Sequence, residues 1–251
     1  LGAALTPAGR HLAVEARKLL GEAQRILAEV GPRPERVVGT VRMGVPELLA
    51  PVVVGSTLKA LADRHPDLEL DVHLGEVDDL VDRVVAGDLD VTFAGVRLPD
   101  RLTSVELFTV EPHAVLPADH PLAAAPDVDL AELAGEPFIL LDLMPGREHI
   151  LREFHARGLA PDIRFRTSSL ELARTLVGQG LGFSVQAVRP WGDRTYEGMP
   201  LAVRPLRELV ARPFPVVLAA RAEAPLTAQV RAVMTTAATI SWPMTLVRPE
   251  S

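Results

Sequence analysis

The sequence predicts an α/β protein: two lobes built on parallel strands and entered through one long amphipathic helix. Three observations carry that expectation. From Val37 to Phe93, and again from His113 to Gln186, apolar stretches of period two alternate with stretches of period 3.6, the rhythm of β-α-β units. A strand-like "FPVVLAA" (Phe214–Ala220) and a helix-like Leu226–Ala238 trail behind, with no use in the second series unless the chain crosses back to complete the first. Ahead of both, residues 6–30 carry one continuous helical stripe.

That stripe opens at "LTPAGR", where the Thr6 hydroxyl suits an N-cap and Pro7 suits the first helical position, which needs no N–H donor. Leu12, Ala16, Leu19, Ala23, Ile26 and Val30 recur on one face until Gly31-Pro32 stops the pattern. A helix of this length runs roughly 35 Å. Its apolar face is too long for one small neighbour, so a partner helix from a second chain is expected, with folding back onto its own body as the alternative. "GPRPER" (residues 31–36) then reads as a stiff linker.

In the first lobe, Val37, Gly39, Val41, Met43 and Val45 alternate as a strand, and Glu47 to Arg64 reads as a helix. Leu68, Leu70, Val72 and Leu74 make a second strand, Asp78 to Ala86 a helix stopped by Gly87, and Leu89, Val91 and Phe93 a third strand. Such crossovers require parallel neighbours. The second series runs through strands His113–Leu116 and Phe138–Asp142, helix Arg147–Arg157, strand Ile163–Thr167, helix Leu170–Val177 and strand Phe183–Gln186. Two Rossmann-like lobes joined by two crossing strands are expected, an arrangement resembling the type II periplasmic binding proteins. The boundaries predicted are 1–36 for the leading helix, 37–108 with 219–240 for lobe I, 109–218 for lobe II and 241–251 for an irregular tail.

Composition narrows the function. The 251 residues include no cysteine, which excludes disulfides, thiolate catalysis and cysteine metal sites. No apolar run reaches the roughly 18 residues of a membrane span, and the leading segment lacks the apolar core of a signal peptide, so a cytoplasmic protein is expected. The net charge is −7, but residues 1–36 carry six basic and four acidic side chains, so only that arm suits a place near nucleic acid. The seven histidines form no His-Glu-x-x-His pattern, and neither metal nor cofactor is expected. "GQGLGFSVQ" leaves a helix and enters a strand, the reverse of a dinucleotide fingerprint, and its glycines are read as helix caps. Ser184 lacks the second glycine of a nucleophile elbow, so no enzyme is expected.

Four strand ends, at Val45, Leu74, Asp142 and Thr167, hand over to helix starts. In open parallel sheets ligands bind at such ends, where orphan backbone N–H groups favour polar or anionic groups. The handover segments are Pro46-Glu47-Leu48, Glu76-Val77, Met144-Pro145-Gly146-Arg147 and Thr167-Ser168-Ser169.

The order of motifs resembles the LysR-type transcriptional regulators over nearly the whole chain. "LTPAGR" resembles the close of their winged helix-turn-helix domain and the start of the linker helix. "VRMGV", "LADRHPDLELDVHLGE", "AGDLDVTFAG", "LPADHPLA" and "RTLVGQGLGF" resemble successive segments of their effector domain. The resemblance implies an allosteric regulator whose DNA-binding helix-turn-helix is absent from this sequence. It implies a homodimer or homotetramer, contact with promoter DNA only through that absent domain, no membrane partner, and a small-molecule effector between the lobes. The implied effector-binding residues are Val45, Pro46, Glu47, Leu48, Glu76, Val77, Met144, Gly146, Arg147, Thr167, Ser168 and Gln186, with Val185 beside the last. Where many members carry Ser or Thr at the first three helix starts, this chain has Leu48 beside Glu47, Val77 and Gly146. Loss of those hydroxyls, with Glu47, Glu76 and Asp142 nearby, implies an uncharged, amine-bearing or partly apolar effector unless Arg147 or Arg97 compensates. A transporter's solute-binding protein of the same two-lobed fold is the alternative.

Overall fold

The computed structural model describes residues 36–95, 98–190, 192–207, 214–222 and 226–242. The predicted helix over residues 6–30 lies outside them, as does all but the first two residues of the predicted tail. The chain divides into two compact units, one of residues up to 107 with 216–243, the other centred on 108–215.

The first unit is built on a five-stranded sheet of order β2-β1-β3-β10-β4. Its strands are β1 (Gly39–Pro46), β2 (Leu68–Gly75), β3 (Val91–Ala94), β4 (Leu102–Val110) and β10 (Phe214–Arg221). β1 pairs parallel with β2 over its whole length and with β3 at Met43 and Gly44, whereas β10 lies antiparallel to β3. Val41, Met43, Val45, Val91 and Phe93 are fully buried, and so are the intervening Thr92 and Ala94 of β3, a strand covered on both faces. Helix α2 (Val77–Ala86) covers the sheet through Leu80 and Val84, which pack with Leu89, Leu102 and Ala219. Its last turn closes on Gly87 at φ +84°, with the Gly87 N–H directed at Val84 O. Helices α1 (Ala50–Arg64) and α6 (Ala228–Ala237) pack on each other and on β1. Arg42 ties the layers: its guanidinium reaches Asp90 at 2.6 and 3.0 Å and Gly87 O at 3.1 Å, while its backbone N–H donates to Asp90 at 2.8 Å.

Helix α1 starts at Ala50, three residues later than the helix expected over Glu47 to Arg64. Pro51 is the reason: a helix begun at Glu47 would ask the Pro51 nitrogen to donate to Glu47 O, and proline has no N–H. Residues 47–49 form a turn instead, closed by Leu49 N–H on Pro46 O at 2.8 Å, and Pro51 falls in the first turn.

The second unit holds a three-stranded sheet, β8-β5-β9, and a parallel pair, β6-β7. These are β5 (His113–Pro117), β6 (Pro137–Leu141), β7 (Asp162–Thr167), β8 (Ser184–Gln186) and β9 (Leu201–Pro205), with helices α3 (Leu130–Leu133), α4 (Gly146–Ala156) and α5 (Leu170–Gly178). β5 runs antiparallel to both its neighbours, a departure from a purely parallel lobe. A bridge between Phe138 and Phe183 links β6 to the start of β8. Phe138 stacks on Phe183 at 5.0 Å and meets Phe154 at 5.5 Å in the larger core, while Val115, Ile139, Ala173, Val177, Leu201 and Val203 form a second core beneath α5. Asp129 caps α3 in a reciprocal capping box with Glu132.

The glycines after α5 have separate tasks. Gly180 takes the left-handed conformation expected of a cap, at φ +73°. Gly182 stands at φ +140° so close to β6 that a Cβ would lie 2.1 Å from Pro137 O.

Candidate functional site

In the first unit, the ends of β1 and β2 lie side by side, Pro46 opposite Gly75. The turn Glu47-Leu48-Leu49 and the residue pair Glu76-Val77 therefore emerge from neighbouring strands. Val45 and Pro46 are buried, so they contribute backbone and support, while Glu47 and Glu76 are exposed and Leu48 and Val77 half-buried. Neither α1 nor α2 has a side chain capping its N-terminal N–H groups. The acidic pair thus stands beside two free helix starts.

In the second unit, Leu141 lies opposite Thr167, and the Asp142 N–H donates to Thr167 O at 2.8 Å. Arg147 donates to the Asp142 carboxylate at 2.7 Å, so these two charges cancel locally. The Thr167 hydroxyl accepts the Ser169 N–H at 3.0 Å, and the Ser169 hydroxyl caps α5 through the Leu172 N–H at 3.2 Å. Ser168 and Gly146 are exposed, Met144 is half-buried, and the Met144–Pro145 peptide is cis. A Cβ at Gly146 would meet nothing within 4 Å. Arg97 lies outside the described residues.

The structure thus gathers Val45 to Leu48 with Glu76 and Val77, and Met144, Gly146 and Arg147 with Thr167 and Ser168. Gln186 belongs to neither group. It sits opposite His113 in the β5–β8 ladder, 1% exposed, on the strand face that α5 covers, while Val185 faces the larger core.

That placement uncovers a polar cluster which sequence reasoning missed. His113, Ser184, Gln186 and Arg174 are all 5% exposed or less. Ser184 lies opposite Val115, two residues from His113 and on the same face, and Arg174 belongs to the covering helix. His113 Nδ1 lies 3.2 Å from Glu111 O, so that nitrogen carries the proton and Nε2 is a bare acceptor. Burial pushes the imidazole pKa down to about 4; the Glu111 carbonyl opposes this, and the Arg189 and Arg174 charges add to it. Burial likewise lowers the Arg174 guanidinium, against the pull of Glu171 and Asp193. Arg174 NH2 donates to Gly192 O at 2.7 Å and Arg194 O at 2.9 Å, holding the segment between β8 and β9 against α5. The signal for this cluster was a cation spaced four residues after Leu170 within a helix face that also holds Ala173 and Val177.

Among the described residues no three His, Asp or Glu side chains are grouped to hold a metal ion, and no helix is long and apolar enough to cross a membrane.

Residues 34–239 match the family model described as the LysR substrate binding domain. The transcriptional regulator CysB of Haemophilus influenzae is 26% identical over 73% of this chain, which spans 58% of that protein's length. The C-terminal domain of a probable LysR family transcriptional regulator from Rhodococcus sp. RHA1 superposes with a TM-score of 0.76 at 34% identity, covering 80% of this chain and 99% of that one. The BenM effector binding domain, solved with its effector benzoate, gives a TM-score of 0.67 at 20% identity over 80% of this chain and 91% of its own, a likeness of fold. The architecture is that of the type II periplasmic binding proteins, and, with the match running through both units, the protein belongs to the LysR substrate-binding domain family.

Proposed function

We propose that this chain is the effector-sensing and oligomerisation part of a LysR-type transcriptional regulator. The observation that carries the proposal is the family match over residues 34–239, joined to near-complete coverage of the Rhodococcus regulator's C-terminal domain. The match favours a regulator over a transporter's solute-binding protein. In this reading the chain performs no chemistry and works in the cytoplasm as a dimer or tetramer, and contact with promoter DNA belongs to the regulator's helix-turn-helix domain and not to the residues described. A ligand held at the handover segments favours one state of the regulator over another, and coupling of this kind is typically worth about 1–3 kcal/mol.

The charge at those segments supports an effector that is uncharged, partly apolar or amine-bearing. Glu47 and Glu76 are exposed on the first unit, and the Arg147 charge on the second is already met by Asp142. No hydroxyl stands at Leu48, Val77 or Gly146 to receive a carboxylate.

Thermal shift with benzoate, shikimate and benzylamine as probes tests the preference. At a ligand concentration of 100 times Kd the folded state gains about 2.7 kcal/mol, a readily measured shift. Stabilisation by the amine and not by the acids is expected; stabilisation by carboxylates alone overturns it. Light scattering on this chain and on a version starting at Val37 tests oligomerisation. Loss of residues 1–36 is expected to lower the order of assembly, and two monomers would refute the role given to the leading helix.

A further inference from the structure

We propose that the cluster of His113, Ser184, Gln186 and Arg174 beneath α5 is a binding site for a small monovalent anion, separate from the handover segments. Among the described residues, six polar atoms of this cluster have no hydrogen-bond partner: His113 Nε2, Ser184 Oγ, both amide atoms of Gln186, and Nε and NH1 of Arg174. All belong to side chains at least 95% buried, where an unmet polar group costs about 1–3 kcal/mol. Several such groups on one strand face and its covering helix form a concentrated deficit that a bound species relieves.

The inventory of donors and acceptors selects the species. Arg174 offers N–H groups from two nitrogens, Gln186 an NH₂ and Ser184 a hydroxyl, against the bare Nε2 of His113 and one amide oxygen. Donors exceed acceptors, and the group at the centre is positively charged. Compensation is partial. Glu171 lies 3.6 Å from Arg174 Nε, is 40% exposed, and also accepts the Tyr196 N–H; Asp193 is paired with Arg189 at 2.8 Å. A species that mainly accepts hydrogen bonds and carries one negative charge completes the set: a halide, nitrate or formate. Such an anion also neutralises the guanidinium that holds the carbonyls of Gly192 and Arg194, and so tightens the segment between β8 and β9.

Binding is coupled to a proton. With Nδ1–H already given to Glu111 O, a protonated His113 would present a second N–H at Nε2, and the anion supplies the acceptor that this N–H lacks. The charged groups acting on His113 are Arg174 from α5 and Arg189 and Asp193 from the segment after β8, with Glu171 beside Arg174. An anion offsets the two cations, so affinity rises as pH falls.

The experiment is bromide titration of the full chain at constant ionic strength, with gluconate as the balancing ion, followed by thermal shift between pH 5 and 8, and bromide anomalous diffraction. A saturable stabilisation is expected, with affinity increasing by up to about tenfold per pH unit on the acid side, and an anomalous peak beside Arg174. Arg174→Met is expected to abolish the saturable response. Should that variant fail to fold, Ser184→Ala is expected to weaken binding and His113→Gln to flatten its pH dependence. Identical curves for wild type and both of the latter variants, or an anomalous peak only at surface cations, would overturn the site; ordered water in place of bromide would do so equally.

Discussion

Replacing Gly182 with alanine strikes the junction where β6 meets the start of β8. At φ +140° an L-residue carries backbone strain of about 1–3 kcal/mol. Its Cβ would lie 2.1 Å from Pro137 O, and because that atom is backbone the strand itself must retreat. Retreat stretches Ile139 N–H on Phe183 O, now 2.8 Å, and Phe183 N–H on Pro137 O, now 3.0 Å, each worth about 1 kcal/mol net. It also loosens Phe183 from the face of Phe138. Together these give a loss of roughly 3–5 kcal/mol, a large part of the roughly 5–15 kcal/mol typical of a folded domain, and a melting temperature lower by roughly 10 °C. Gly146→Ala is the control, since nothing lies within 4 Å of its Cβ and alanine suits a helix start better. Urea unfolding of both variants measures the difference. If Gly182→Ala falls within about 1 kcal/mol of wild type, or if Gly146→Ala loses as much, the close approach of β6 and β8 does not constrain the fold as argued.

His113 predicts a pH dependence. Its folded pKa of about 4 lies below the ordinary 6.5, so the unfolded chain binds the proton more readily, and stability is full above pH 6.5 and falls as pH drops from 6.5 towards 4. The loss approaches about 3 kcal/mol at the acid end, and His113→Gln should flatten this part of the curve in urea titrations. Asp90→Ala should cost about 1–3 kcal/mol in the same assay, because it strands the Arg42 side chain and its backbone N–H together. Phe138→Ala should cost about 3–5 kcal/mol by opening the core between Phe154 and Phe183. Asp129→Ala should cost only about 1 kcal/mol, through the lost cap of α3.

Where local chemistry decided the structure, the sequence was legible. Alternating apolar residues marked β1 and β3, the latter buried at all four positions, and Gly87 ended α2 as a left-handed cap. Pro51 carried the information needed to place the start of α1, because a residue without an N–H cannot continue a helix begun at Glu47. β4 and β9 were missed because "LTSVELFTV" mixes exposed and buried positions and "LAVRP" is short, and neither is bounded by a helix that would mark a crossover. Strand direction in the second unit has no local signal at all: β5 becomes antiparallel through the path of the chain around it. The handover residues could be found because strand ends and helix starts are local features. The His113 cluster left only one local trace, Arg174 on the apolar face of α5, since it joins β5, α5 and β8 across 73 residues, and a charged side chain on a helix reads by default as solvent-facing.

The boundary between the two units falls inside β4 at 107/108 and inside β10 at 215/216, so the second unit is an insertion within the first. During synthesis, at about 5–20 residues per second, all of residues 108–213 are delivered before β10 and α6. The unit that starts first is therefore finished last. Until Phe214–Arg221 arrives, β3 has an open edge and β4 no neighbour, the state in which a nascent sheet is most exposed to pairing with another chain. A chain interrupted anywhere from 216 to 221 carries every strand of the inserted unit and an incomplete sheet in the unit around it.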